Sequence, residues 1–415
     1  MRRKLILLFS PVSVLTGLFI SALFAQGLAI AQSNLSSRQA HYWVKPAPAA
    51  DFERTKKLMS TDPSKTLPLW TFFTEASRDD NGYSGVMVGQ DPFNGGGSTS
   101  VPTYIIPLKI VTNTIATGFN SKTGVITSKP GVTLFDPTVA DKACLTAPND
   151  VPLILFQDSP IFESVTHRFG GTDVGNTQYV DAFQRANFWQ VDDHDHYHVL
   201  LDPIKTLAPV VVNVPANKGF AIASSLYGPP PACGIGGQID IDWFDSYLDA
   251  NVLPALVSKG VTPSTFPIFL LHNVVWGSPT NVLDCCTIGY HATTGFPIQT
   301  YSPVDFDDTA TFPPAFQDSA TLSHEVAEWV NDPFGDNPTP PWGHIGQVSG
   351  CQDNLEVGDP LSGTQAPPEI TCNGFTYHLQ ELAFFSWFFG SRSIGIHGWF
   401  SNNGTFLHDA GPPCQ

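Results

Sequence analysis

The stretch SHEVAEWVNDP, residues 323–333, sets a histidine beside a glutamate and repeats an acid one helical turn later. On an α-helix each residue turns by about 100°, so His324 and Glu328 share a side and can reach one ion. Glu325 projects about 100° away from His324. In a metal-dependent hydrolase such a neighbouring glutamate accepts a proton from the attacking water instead of binding metal. Asp332 lies near the ligand side. Downstream, CQDNLEVGDP supplies Glu356 and Asp359. Glu356 is the expected third ligand, with Asp332 and Asp359 as alternatives. YHLQE adds His378 and Glu381, three apart, as further ligands or as groups that orient the ligands.

One histidine with two carboxylates is a zinc-competent set. It carries one more negative charge than a two-histidine, one-carboxylate set. That weakens the Lewis acid and moves the site toward harder ions, calcium or manganese. The chain has twelve His but only eight Glu, and five of the eight fall between 325 and 381. Random placement would produce H-E-x-x-E roughly 0.004 times, which argues against a merely solvated helix face.

The elements that must position these groups are partly legible. Asp318 or Ser319 can cap the 323–333 helix and Pro333 ends it. Leu322, Val326, Trp329 and Val330 supply its apolar contacts. TYIIPLKIVTN, APVVVNVP, TFPIFLLHNVVWG, CTIGYHATTG and IQTYSPVDF read as strands. NTQYVDAFQRANFW and IDWFDSYLDANVLPALVSKG read as helices, the second broken or kinked at Pro254. Residues 333–368 read as a connection rich in Gly, Pro and Asn. TYHLQELAFFSWFFG reads as a final aromatic helix carrying His378 and Glu381.

The start of the chain is not part of this fold. Arg2, Arg3 and Lys4 precede an apolar run from Leu5 to Ala25, and Ala29-Ile30-Ala31 offers a cleavage site. Residues 1–31 are expected to be a secretory signal peptide, placing the mature protein outside the cell or in the periplasm. Residues 32–100 read as an extended, irregular lead-in or a propeptide, and 101–415 as one metal-binding domain. The mature chain keeps 17 basic against 37 acidic residues, a net −20. That excludes nucleic acid and, after signal cleavage, a membrane as partners.

Seven cysteines are an odd number, so at least one thiol is unpaired within the chain. Cys285 and Cys286 are expected to bond elsewhere than to each other. A Cys351–Cys372 bridge would brace the loop carrying Glu356 and Asp359. No C-x-x-C pair supports a zinc ribbon, and no G-x-S-x-G elbow supports a serine hydrolase. VDDHDHYHVLLD sets His194, His196 and His198 at alternate positions. On a strand they would face one side as a second metal site, or one of them would stabilise a transition-state oxyanion near the first.

SHEVAEWVNDP followed by LEVGDP resembles a group of secreted bacterial zincin-like metallopeptidases with H-E-x-x-E, a following D-P and a later E-x-G-D. The resemblance covers residues 265–390. It implies an α+β fold, a mixed sheet packed on an active-site helix and a C-terminal helix. It also implies His324, Glu328 and Glu356 as ligands, with Glu325 as general base. The expectation is a secreted zinc metallopeptidase acting on peptide or protein. The alternative is a non-catalytic binding or structural module with calcium or zinc knitting 324–359 together.

Overall fold

The computed structural model describes residues 40–140, 150–194, 196–223, 226, 232–364, 366–390 and 392–415. The proposed signal peptide and Cys144 lie outside them.

Strand β1 (His41–Lys45) leads into helix α1 (Ala49–Thr61) and an antiparallel hairpin, β2 (Leu69–Glu75) and β3 (Gly82–Val88). The 22-residue β4 (Ser98–Phe119) follows, and β5 (Ile126–Phe135) folds back on it. Next come α2 (Pro152–Gln157), the hairpin β6 (Val165–Phe169) and β7 (Thr172–Thr177), and α3 (Tyr179–Asn187). Strands β8 (His198–Thr206) and β9 (Val210–Asn213) lie parallel to β4. After β10 (Gly219–Ala223) and β11 (Ile235–Ile239), α4 (Ile241–Tyr247) passes through a π-helical turn into α5 (Leu253–Leu256). Pro254 follows directly on that π-helical turn, where the regular i to i−4 ladder is already interrupted.

Strands β12 (Phe266–His272), β13 (Val274–Gly277), β14 (Cys285–Thr294) and β15 (Gln299–Phe306) precede α6 (Ser319–Asn331). Two further hairpins follow: β16 (Pro338–Ile345) with β17 (Val348–Asn354), and β18 (Glu369–Cys372) with β19 (Phe375–His378). Helix α7 (Phe385–Phe389) is the last.

The principal sheet runs β14-β13-β11-β10-β4-β12-β15, and β15 pairs again with β14. These seven strands form a closed barrel. β1 adds to the outside of β14, while β5, β8 and β9 all add to the long β4. The expected zincin-like α+β fold is therefore corrected. The described residues are 39% strand and 23% helix, and the sheet closes on itself instead of lying open beneath two helices. Closure depends on the antiparallel β14–β15 ladder, in which Thr294 pairs with Gln299 and Gly289 with Val304. It removes the two free edges that an open sheet would present.

β12, the apolar run FPIFLLH, is buried at every residue. Its Phe266, Ile268 and Leu270 join a cluster with Leu322, Val326 and Trp329 of α6. Phe269 and Leu271 turn instead to a second cluster with Phe244 and Leu248. β14 alternates in the same way. Tyr290 and Ala292 enter that second cluster, so Gly289 and His291 face α6.

Three local expectations also change. Residues 41–100 are not an irregular lead-in: they contain β1, α1 and the β2–β3 hairpin, and β1 is part of the principal sheet. Residues 333–368 contain the β16–β17 hairpin. TYHLQELAFFSWFFG is not one helix, because Thr376–His378 lie in β19 and helix resumes only at Phe385. Its aromatic side chains are buried all round, so tertiary packing decides their conformation over helical propensity. Among the cysteines, Cys285 bonds to Cys286 and Cys351 to Cys414, while Cys372 is free and buried. The expected Cys351–Cys372 bridge is not formed.

Candidate metal centre

α6 is capped by Asp318, whose Oδ1 accepts from the Ser319 amide. His378 closes this cap from the other side: its Nδ1 lies 2.6 Å from Asp318 Oδ2 and its amide donates to Oδ1. His378 is thus spent on positioning the helix. Ser323, His324, Glu325 and Glu328 are all buried along it.

His324 Nε2 lies 3.0 Å from Glu328 Oε1 and 3.5 Å from Asp359 Oδ1. On the opposite side stands His291 of β14, which the motif does not contain. Its Nδ1 is 3.4 Å from Glu325 Oε2 and 3.7 Å from Glu328 Oε2, and its Nε2 is 3.9 Å from Glu356 Oε2. Two triads result: His324 with Glu328 and Asp359, and His291 with Glu328 and Glu356. Glu356 and Asp359 thus fall in different triads, where the sequence offered them as alternatives.

His291 is absent from the sequence-level candidates because β14 reads simply as a strand. One signal was present. In G-Y-H, glycine and histidine are two apart and so share a face. A Cβ at Gly289 would come within 2.8 Å of Glu325 Oε1, so that glycine makes room for the acid beside the histidine. Gly358 does the same on the other side, where a Cβ would meet His324 Nδ1 at 2.3 Å.

The cluster is buried, acidic and short of hydrogen-bond partners. Both ring nitrogens of His324, His291 Nε2, Glu325 Oε1 and Glu356 Oε2 are buried without a hydrogen bond. The close approach of His324 to Glu328 is therefore not in hydrogen-bonding geometry. Glu328 and Glu356 offer oxygens within 4.8 Å of one another, a closeness that two buried carboxylates tolerate by sharing a proton or a cation. Among the described residues no Lys or Arg forms an ion pair with Glu325, Glu328, Glu356 or Asp359; their ion-pair contacts are to His291 and His324. Burial first, and mutual repulsion after it, pushes Glu325, Glu328 and Glu356 well above the usual carboxyl range. Burial, with His324 adding to it, pushes His291 down to about 3. Its imidazole is then neutral, the form that ligates metals. Orphaned imidazole nitrogens facing orphaned carboxylate oxygens fit a divalent cation with nitrogen and oxygen preference, zinc or manganese before calcium.

A shell of amides holds the acids. Glu328 Oε1 accepts the Gly358 and Asp359 backbone amides at 3.1 and 3.3 Å. Gln352 donates to Asp359 Oδ2 at 2.8 Å, Gln347 to Asp359 Oδ1, and Asn354 to Glu356 Oε1 at 2.7 Å. Oriented outer partners of this kind accompany metal-binding carboxylates. A cavity of about 140 Å³ opens beside them, lined by Tyr42, Gln347, Gln352, Glu328, Glu356 and Asp359 among others. Glu325 is not among the residues that line it.

The remaining candidates stand elsewhere. Asp332, just past α6, accepts the amides of Asp336 and Asn337 and binds the turn that follows the helix. Glu381 accepts from Ser401 and Thr405. His194 pairs with Asp192 and stacks on Trp189, whereas His198 pairs with Asp181. Residues 191–194, 196 and 197 lie in no strand, and none of His194, His196 and His198 joins a metal-capable group among the described residues.

No helix among the described residues is long and apolar enough to cross a membrane. Comparisons with family models, curated proteins and solved structures find no significant match.

Proposed function

We propose that this chain is an exported metal-dependent hydrolase whose centre is built on His324, Glu328, His291, Glu356 and Asp359. The observation that carries the reading is the set of buried, unpartnered donor atoms beside a cavity that Glu328, Glu356 and Asp359 line. A divalent cation bound there supplies Lewis-acid polarisation of a substrate oxygen and a more acidic water. The chain's own groups do the rest. The Gln347, Gln352 and Asn354 amides fix the carboxylates, and Tyr42 walls the cavity. Glu325 Oε1, buried without a donor, is the carboxylate oxygen free to accept a proton. The resemblance of SHEVAEWVNDP to zinc-peptidase helices makes peptide or protein the first substrate class to test.

One observation favours a second reading. Glu325 does not line the cavity, as expected of a non-catalytic module in which the ion only knits α6 to the 356–359 loop. Metal content and hydrolysis of a broad peptide library, compared between native protein and Glu325→Gln, separate the two. Metal kept with activity lost supports the hydrolase. Metal kept with no activity in either protein supports the module. Absence of stoichiometric metal from the native protein removes both.

A further inference from the structure

The same cluster has the form of two sites sharing one residue. We propose that the protein binds a pair of divalent cations bridged by Glu328, one held with His324 and Asp359, the other with His291 and Glu356. This rests on the reading that the cluster binds metal, and goes beyond it in number and arrangement.

Within each triad the donor atoms lie within 4.8 Å of one another, and Glu328 is the single residue common to both. Its two oxygens diverge. Oε1 is the atom nearest His324, and Oε2 is the atom nearest His291. A carboxylate presented in this way spans two ions at the separation of about 3.5–4 Å found in two-metal centres. The Gly358 and Asp359 amides, through their long contacts to Oε1, hold the carboxylate plane across the gap.

Unsatisfied atoms occur on both sides. His324 Nε2 belongs to one triad, and His291 Nε2 and Glu356 Oε2 to the other. A single cation in either triad would leave the buried polar atoms of the other unmatched, a cost that native interiors avoid. Charge points the same way. The two triads bring together three buried carboxylates, Glu328, Glu356 and Asp359, none in an ion pair with Lys or Arg among the described residues, more than the charge of one divalent cation matches. The donor sets, one nitrogen with carboxylate oxygens on each side, suit Zn(II) or Mn(II).

The test loads the full mature chain with Mn(II), and separately with Zn(II), removes excess by gel filtration, and measures metal per chain. Electron paramagnetic resonance on the manganese form reads the spacing. Two equivalents are expected, with the spectrum of an exchange-coupled manganese pair. His291→Ala and Asp359→Asn, which each remove a donor from one triad, should keep one equivalent and show isolated manganese. One equivalent with an isolated-ion spectrum in native protein overturns the pair while leaving the single-metal reading intact. Two equivalents without coupling overturn the Glu328 bridge. No bound metal overturns both. The native measurements stand alone if a variant fails to fold.

Discussion

The ring of Tyr42 stacks on the imidazole of His324, with centroids 3.5 Å apart and planes 21° from parallel. Tyr42 belongs to β1, which pairs in parallel with β14, the strand that carries His291. Its backbone amide also donates to Gln347, one of the amides that hold Asp359. The N-terminal strand is therefore one wall of the candidate metal centre. Lys45, at its far end, is tied to Asp245 and Asp249 at 2.6 and 2.7 Å.

Tyr42→Ala should cost about 3 kcal/mol of stability, the usual price of truncating a buried aromatic. It should also release metal to a chelator faster, because His324 loses the ring that fixes its plane. Urea unfolding and chelator-competition kinetics measure the two effects. A variant with native stability and native release would show that β1 merely covers the site.

Gly358→Ala tests the opposite side of the same histidine. The backbone at 358 has φ −85° and ψ −36°, which alanine adopts freely, so strain cannot arise from conformation. The added Cβ would meet His324 Nδ1 at 2.3 Å and push the loop bearing Glu356 and Asp359 away from α6. Overpacking of this kind costs about 1–3 kcal/mol. Displaced support of the ligands should weaken metal affinity by about 10–100-fold. Isothermal titration with Zn(II) would show it, and unchanged affinity would mean that the loop is free to shift.

These two positions mark where the sequence was legible and where it was not. α6 could be placed from SHEVAEWVNDP because capping, apolar spacing and the terminal proline are local signals. The structure keeps them, with Asp318 at the cap and Leu322, Val326 and Trp329 in the core. Glu328 lies on that helix, whereas Glu356 and Asp359 stood out only as acids of LEVGDP, and the structure brings all three together with His291 and His324. His291 was not legible, because it reaches the site through β14, 33 residues before His324 in the chain. Nor was Tyr42, on a five-residue strand whose partner lies more than 240 residues away. Barrel closure belongs to the same class. The strands were visible as apolar runs, but the pairing of β15 with both β12 and β14 is a long-range register that alternation alone does not specify.

A pH dependence follows from Asp305 in β15, where burial, with Asp307 adding to it, pushes the carboxyl up to about 8. In the unfolded chain it titrates near the ordinary value of about 3.9. Between these values the native state keeps a proton that the unfolded state has lost. This term is therefore fully favourable below about pH 4, falls by up to about 1.4 kcal/mol per pH unit as pH rises, and levels off above about 8. Asp305→Asn keeps an acceptor for the Val274 amide, which the acid now receives at 2.9 Å, and removes the titration. The variant should gain on native protein steadily between pH 4 and 8 in chemical-denaturation experiments. A constant difference across that range would mean that Asp305 is ionised in the fold.

The Cys351–Cys414 disulfide ties the end of the chain to β17, the strand that supplies Gln352 and Asn354 to the carboxylate shell. Arg78 holds the same segment by another route, donating to the carbonyls of Gly411, Pro341 and Phe388. The two tethers differ in kind. The disulfide closes a span of 63 residues and constrains the unfolded chain, worth about 4 kcal/mol on the loop-entropy estimate. Arg78 acts only in the folded state, through hydrogen bonds from a charged group. Cys351→Ser with Cys414→Ser should therefore lower the unfolding free energy while Arg78 keeps the chain end docked and the folded protein retains metal. Arg78→Ala should loosen the 411–414 segment with the disulfide intact. Hydrogen exchange at residues 409–415 and metal retention separate them: fast exchange is expected in Arg78→Ala, and retained metal in the cysteine variant. Loss of metal in the cysteine variant alone would show that the disulfide, not the arginine, positions β17.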